Sequence, residues 1–527
     1  MLRSLLCGLS LLLIAPPLTA QKTVVKISPE FKLPKNKAFQ DHLWSDETGH
    51  YVYFEEMSNS LFGANASGTV ILEKYSPAFK LEYSKEFESD RKGVSSLGMR
   101  YFQGRFVWML SETNKKEDYV RYSLLPIGLD GKQAKMKDLA KFKYEGRDDL
   151  PTISWEVSRD SSKLLFRATS DEDRDEEKFR MFLSVMDKNL DVLWSQKVTM
   201  PYSEERVEVI DALLKNDGSV YVLAKIYEND KAKESKKNKK NKTVAAYDVA
   251  LLQYTKDTKE PKEYQLKLGD AFIRGGYLAV DKNGALKCAG FYANTRKGST
   301  NGVFFLQLDE NGAVQAANKK EFTASDLKVF GKENTDKDKS GDAGLESSFK
   351  FSEFLVRDDG SAVVVAEENY SYTVSNYNGR TWTYTTYYVS NDIIVFTIRP
   401  DGSVERISII PKYQRGVNTD YFLSYVSMVH NDEVLFFYNE DEDNMKKPVN
   451  NPKPKLVSRF DECIAVMTTL GPDGNLTRKQ LFEAKDVESL FVPKNSGPFG
   501  NDQLFFTSFK PRLLAKSNFH IGTVTVP

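Results

Sequence analysis

From Phe354 to Ile410 apolar, β-branched runs alternate with polar turns in a fixed rhythm. FLVR and SAVVVAEE flank Asp358-Asp359-Gly360, and NDIIVFTIR and SVERISII flank Asp401-Gly402. Asp-Gly between such runs predicts tight hairpins, because glycine accepts the positive φ that a two-residue turn needs. The two hairpins make four strands of one small antiparallel sheet. AVVVA and DIIVFTI are apolar at consecutive positions, the pattern of strands covered on both faces. A small sheet buried on both faces needs a like sheet on each side, which is the logic of a β-propeller blade.

The same two-hairpin pattern recurs along the chain. First hairpins turn near Gly49, Gly104, Ser161, Gly218, Gly284, Gly360 and Asp432, at spacings of 55, 57, 57, 66, 76 and 72 residues. Such drift is what loop insertions on a constant core produce. Second hairpins such as MFLSVMDKNLDVLWSQKV and VFFLQLDENGAVQAANKKEF interleave with the first, giving seven complete units. SLFVP, QLFFTSF and FHIGTVTV then leave three strands at one end, and TVVKIS (Thr23 to Ser28) leaves one at the other. Three plus one completes a further blade and removes the exposed sheet edges that invite aggregation. The expected fold is therefore all-β: a single β-propeller domain over 21–527, of eight four-stranded blades closed by the N-terminal strand. Seven blades, or tandem β-sandwiches, are the alternatives that short strands with regular turns also allow. Lys135 to Phe142 and Ala324 to Lys332 are expected as short helices.

Composition narrows the partners. The 527 residues include 74 basic and 74 acidic side chains, so no net charge marks the chain for nucleic acid. Residues 1–20, MLRSLLCGLSLLLIAPPLTA, have a basic start, an apolar core too short to span a membrane and small residues before Gln21. They read as a signal peptide, placing the protein in the periplasm or at the cell surface. Leu6 before Cys7 argues against a lipid anchor. No later apolar run is long enough for a transmembrane segment. Cys288 and Cys463 fall in different repeats and are expected as buried free thiols.

In a propeller the exposed faces are built by insertions, so function is sought there. Asn229 to Thr243 carries seven lysines and reads as a solvated loop or a contact for an acidic partner. Asp171, Asp173 and Asp175, then Asn439, Asp441 and Asp443, alternate like the start of a calcium loop, but neither has the glycine such a loop needs at its sixth place. DKDKSGDAGLES from Asp336 comes closer, although its Glu346 falls one position early. Calcium is the one cofactor these patterns suggest. The most unusual composition is NYSYTVSNYNGRTWTYTTYYVSND, Asn369 to Asp392. Asn378-Gly379 predicts a hairpin turn, so two strands extend outward as a ribbon. Period two puts Tyr370, Tyr372 and Val374 on one face, with Trp382, Tyr384 and Thr386 expected across from them. Tyr370, Tyr372, Tyr377, Trp382 and Tyr384 are the candidate contacts for a protein or glycan partner. The plain structural reading of the same rings is that they cover a neighbouring blade or pair across the ribbon.

Catalytic signatures are lacking. The four histidines (His42, His50, His430, His520) fall in no metal-ligand spacing, and no G-x-S-x-G elbow, phosphate loop or dinucleotide fingerprint occurs. Carboxylates paired across distant strands leave no local pattern, so a glycoside-cleaving or other hydrolytic propeller with acids at its central channel is the alternative to a binding module.

The segment VVVAEENYSYTVSNYNGRTWTYTTYYVSNDIIVFTIRPDGSVERISIIPKYQR, followed by YFLSYVSMVHNDEVLFFYNEDEDN, resembles a group of uncharacterised exported proteins of Bacteroidota-type bacteria. The likeness runs mainly over Val363 to Asn444. It implies a periplasmic or surface location and carries over no catalytic residues. Arg406 stands after Glu405 where that group often has Trp. FHIGTVTVP reads as a strand rather than a sorting domain. Taken together, the expected protein is an exported, non-enzymatic binding or scaffolding propeller of the cell envelope.

Overall fold

A computed structural model of the chain describes residues 22–34, 37–56, 68–89, 91–143, 150–169, 178–231, 233, 235–237, 243–258, 260–266, 268–269, 271–296, 299–309, 314–323, 326, 349–357, 359–459, 462–510 and 518–527. The expected signal peptide, the Asp171–Asp175 run and the loop from Asp336 lie outside these residues, as does all but Asp326 of the expected second helix.

The chain is a β-propeller. Sheets 1 to 7 occupy 37–88, 94–143, 152–203, 207–266, 272–321, 349–410 and 425–483, each with four strands in chain order. Sheet 8 takes Leu490–Phe499, Gln503–Lys510 and Asn518–Thr525, and Val24–Ile27 pairs antiparallel along the last of these, Val24 opposite Thr525 and Ile27 opposite Gly522. Ser28 extends the seam: its amide donates to the Ile521 carbonyl at 2.9 Å and its Oγ accepts from the Ile521 amide at 3.1 Å. A two-residue strand, Phe31–Lys32, pairs with the same edge.

An apolar core fills each gap between neighbouring sheets. Leu72 and Trp108 share the core between sheets 1 and 2, Val107 and Phe166 that of the next gap, and Leu183 and Val222 that of the third. Leu251 with Leu306, Phe305 with Val364, and Val365 with Phe436 continue the series. Phe437 with Phe506 joins sheets 7 and 8, and Phe54 with Phe519 joins sheet 8 back to sheet 1. Consecutive apolar residues thus serve opposite gaps, since strand side chains alternate faces. Val364 and Val365 illustrate it, one in each neighbouring core.

Every first-hairpin turn sits where the sequence rhythm places it. Gly49, Gly104, Ser161, Gly218, Gly284, Gly360 and Asp432 all have positive φ. Cys288 and Cys463 are buried free thiols. One expectation fails: Lys137–Lys143 is a strand, not a helix. It completes sheet 2 against Tyr119–Leu124 and buries Phe142 in the core toward sheet 3. The open ladder of the neighbouring strand and the apolar gap outweigh the weak helical preference of that segment.

The up-and-down order gives the ring two unlike faces. The tight turns lie on one. The aromatic ribbon and the described part of the lysine-rich segment lie on the other. On the tight-turn face Arg159 of sheet 3 donates to the carbonyls of Val280 in sheet 5 and, at 3.3 Å, of Val356 in sheet 6. Its side chain therefore crosses the axial opening, beside Val157, Leu213 and Phe354.

Candidate functional site

The second and third strands of sheet 6 are the long ones: Ala362–Tyr377 and Trp382–Ile398, of 16 and 17 residues. Their inner halves are core. Their outer halves leave the ring as a two-stranded ribbon, and residues 371–384 are exposed without interruption. Nothing in the sequence of the outer half forbids this, because alternating Thr, Ser and Tyr keep β propensity without demanding burial. At the tip Gly379 has φ +88° and the Asn378 carboxamide oxygen accepts from the amides of Arg380 and Thr381, so Asn-Gly forms the turn expected of it.

The cross-strand pairing differs from the sequence expectation. Tyr377 lies opposite Trp382, Ser375 opposite Tyr384, Thr373 opposite Thr386, Val374 opposite Thr385 and Tyr372 opposite Tyr387. Opposite residues share a face, so one face holds Tyr370, Tyr372, Val374 and Tyr387, and the other holds Tyr377, Trp382, Tyr384 and Tyr388. Trp382, Tyr384 and Thr386 are thus on the far side from Tyr370 and Tyr372. The turn leaves four residues between Tyr377 and Trp382, which pairs even positions with odd. Local alternation within one strand cannot reveal that parity.

On the first face the Tyr372 and Tyr387 rings stack at 5.0 Å and 19°, Tyr370 lies 6.4 Å beyond Tyr372, and the Arg415 guanidinium sits 5.5 Å over Tyr387. On the second, Tyr377 and Trp382 are tilted together at 5.1 Å. Tyr372 with Tyr387 and Tyr377 with Trp382 thus pair across the ribbon, one of the two arrangements expected of these rings. Trp382 is 58% and Tyr384 67% exposed. Tyr387 and Arg415 complete the first face and were not among the candidates, Arg415 because it enters from the strand Gln414–Val417, which pairs with Tyr387–Ser390.

The ribbon's base is fixed by buried polar chemistry. The ladder slips between Glu367 and Asn369, re-aiming the outer strands. Just there Lys412 Nζ lies 2.7 Å from Glu367 Oε1 and donates to the Ser390 carbonyl at 2.9 Å and Gln414 Oε1 at 3.1 Å. Glu367 Oε2 accepts from Ser424 Oγ at 2.6 Å and Asn369 Nδ2 at 2.7 Å. Gln414 Nε2 donates to the Asn439 carbonyl in sheet 7 at 2.8 Å. Higher up, the Asn418 carboxamide oxygen accepts from the Thr386 amide at 2.9 Å.

The carboxylates relevant to a hydrolytic reading lie on the inner strands. In sheets 1, 4 and 6 a one-residue bulge precedes Asp41, Asp211 and Glu353, and so aims an acid from an equivalent place in each. Burial pushes Asp41 and Asp211 each up to about 6 and raises Glu353; Glu156 is raised by burial and by the nearby Asp211 charge. Two of the three bulge acids are engaged across to the next sheet. Asp211 Oδ2 accepts from the Leu278 amide at 2.7 Å, its Oδ1 accepts from the Ala212 amide at 2.9 Å, and Glu353 accepts from Ser427 Oγ. The sequence carries no local sign of this set, because its members are far apart in the chain.

The NEDEDN acids are held by lysines. Asp441 caps a short 3₁₀ turn by accepting from the Asp443 amide, Lys455 Nζ lies 3.2 Å from Asp441 and 2.8 Å from Asp443, and Lys446 lies 2.8 Å from Asp443. Those lysines hold Asp443 down near 2. Among the described residues no three His, Cys, Asp or Glu gather closely enough to hold a metal ion, and no helix is long and apolar enough to cross a membrane. In the lysine-rich segment Ser235–Lys237 pairs with Thr243–Ala245, and Lys236 pairs with Glu228.

No protein-family model matches the chain, and neither does any curated protein sequence. Among solved structures it is similar to the β-propeller domain of the Trilobed protease from Pyrococcus furiosus, at 11% identity and a TM-score of 0.35, over 86% of this chain and 98% of that one. A protein of unknown function from Dyadobacter fermentans is 8% identical with a TM-score of 0.30, over 72% and 94%. Puromycin hydrolase is 10% identical with a TM-score of 0.35, over 79% of this chain and 50% of that one. At this distance the similarity says nothing of activity or ligand.

Proposed function

We propose that this protein is an exported, non-enzymatic binding or scaffolding propeller of the cell envelope, with each of the eight sheets as one blade and the aromatic ribbon as its contact element. One observation carries the reading: Tyr377, Trp382 and Tyr384 project from a ribbon exposed on both faces, on a base locked by buried hydrogen bonds. Large aromatic side chains on a rigid support give much contact area for little ordering cost. A protein or a glycan of the envelope is the partner class such rings suit. Capture from envelope extract by the wild type, compared with Trp382→Ala and Tyr384→Ala, tests it. Loss of the captured partner in the variants supports the ribbon, and unchanged capture rejects it.

A second reading, a hydrolytic propeller, is favoured by the raised values of Asp41 and Asp211, since acids tuned toward neutrality suit proton transfer. Against it, Asp211 already accepts two backbone amides, which is the work of a strand-to-strand stitch. Hydrolysis of a panel of envelope glycans that disappears in both Asp41→Asn and Asp211→Asn would favour this reading over the first.

A further inference from the structure

The outermost strand of each sheet carries a basic residue: Lys26, Lys85, Lys141, Lys197, Lys262, Lys319, Arg406 and Lys479. Charges on edge strands keep foreign strands from adding to them. The ribbon breaks this pattern. From Ser371 to Tyr377 its strand pairs only with Trp382–Ile398, its other edge has no partner among the described residues, and the seven residues SYTVSNY contain neither charge nor proline. The companion strand is shielded by Gln414–Val417 only as far as Tyr387. A long, uncharged, β-prone edge is a template for strand addition.

We propose that this edge pairs with the same edge of a second copy of the chain, joining two ribbons into one four-stranded antiparallel sheet about a two-fold axis. The proposal goes beyond the ribbon reading, since it uses the backbone edge of Ser371–Tyr377 and not the rings of Trp382 and Tyr384 on the companion strand. Isologous pairing sets a strand against itself, so any charge near the axis would meet its own like; an edge without charge is what self-pairing requires. Full overlap of 371–377 puts Val374 opposite Val374, Tyr372 opposite Asn376, Thr373 opposite Ser375 and Ser371 opposite Tyr377. Residues of one face then meet residues of the same face, and a β-branched pair lies at the centre.

Sedimentation of the full chain at tens of micromolar tests this, with Val374→Lys, Val374→Glu and their equimolar mixture. Val374 is exposed, and unchanged thermal melting verifies that the variants fold. The wild type is expected at twice the monomer mass, and each variant is expected to dissociate with a Kd raised roughly tenfold or more. The mixture is expected to restore the dimer through a Lys–Glu pair. A monomeric wild type, a dimer indifferent to both charges, or a mixture that stays dissociated overturns the proposal. Envelope capture that depends on Trp382 while the wild type stays monomeric would overturn self-pairing and leave the ribbon's binding role standing.

Discussion

Lys412 and Glu367 form an ion pair 2.7 Å long in which neither side chain reaches solvent. The pair joins the strand that leads into the ribbon to the chain that follows sheet 6, and four neutral hydrogen-bond partners surround it. Removing one member leaves the other charged and buried, which costs about 3–5 kcal/mol, whereas removing both costs far less. Lys412→Met and Glu367→Leu should each move the denaturation midpoint down, and the double variant should lose much less than their sum. Additive losses in that cycle would show that the pair is not coupled.

The ribbon should also loosen when its buttress is disturbed. A β-carbon on Gly416 would stand 2.0 Å from the Thr419 carbonyl oxygen, so Gly416→Ala forces the strand Gln414–Val417 and the turn at Asn418–Thr419 apart and disturbs the Asn418 bonds to Thr386. A crowding cost of about 1–3 kcal/mol is expected. Hydrogen exchange should quicken at Thr386 and Tyr388 and stay unchanged in sheets 2 to 4.

Two histidines report on the seam between sheets 1 and 8. Ser45 Oγ lies 2.7 Å from His42 Nε2 and 2.7 Å from His50 Nδ1, while the His42 ring stacks on Phe505 at 4.1 Å. One hydroxyl proton serves one ring, so one imidazole accepts and the other donates. Burial pulls His42 down to about 3, helped by His50, and His50 down to about 4, from an ordinary 6.5. As pH falls the unfolded chain takes up these protons first. This share of stability is whole above 6.5 and lost toward 4 and then 3. Asp41 and Asp211 act oppositely, their share being lost as pH rises through about 6. NMR of the imidazoles isolates the histidine part: both resonances should stay at the neutral position from pH 8 down to pH 5, and titration of either near 6.5 would refute the buried chain of contacts.

Deleting residues 22–28 should unfasten the ring. It strips the pairing from Asn518–Thr525 and removes Val25 and Ile27 from the core between sheets 7 and 8. An opened edge next to an opened apolar gap should lower the melting temperature and give aggregation on heating that rises with concentration, measured by light scattering. Full retention of melting behaviour would show that the other strands hold the ring unaided.

The ring was largely legible because its signals are local. Asp-Gly and Asn-Gly turns, and runs such as AVVVA, need only neighbours in sequence to be read, and the positive φ at Ser161 and Asp432 shows that the hairpin rhythm holds even where glycine is absent. What escaped depends on distant partners. The faces of Tyr370 and Trp382 follow from a parity set at the turn. The acids at Asp41, Asp211 and Glu353 are aimed by bulges with no composition of their own. Lys412 sits in PKYQR, which reads as an ordinary loop until Glu367 is brought to it.

The joining of Val24–Ile27 to Asn518–Thr525 has a consequence for biogenesis. Val24–Ile27 must wait until Asn518–Thr525 has been made, so the circle stays open while nearly five hundred intervening residues are translated. Pairing between segments so far apart in sequence is slow to form. A cell carrying this protein should therefore need holding factors that shield the unjoined sheets until the seam is made.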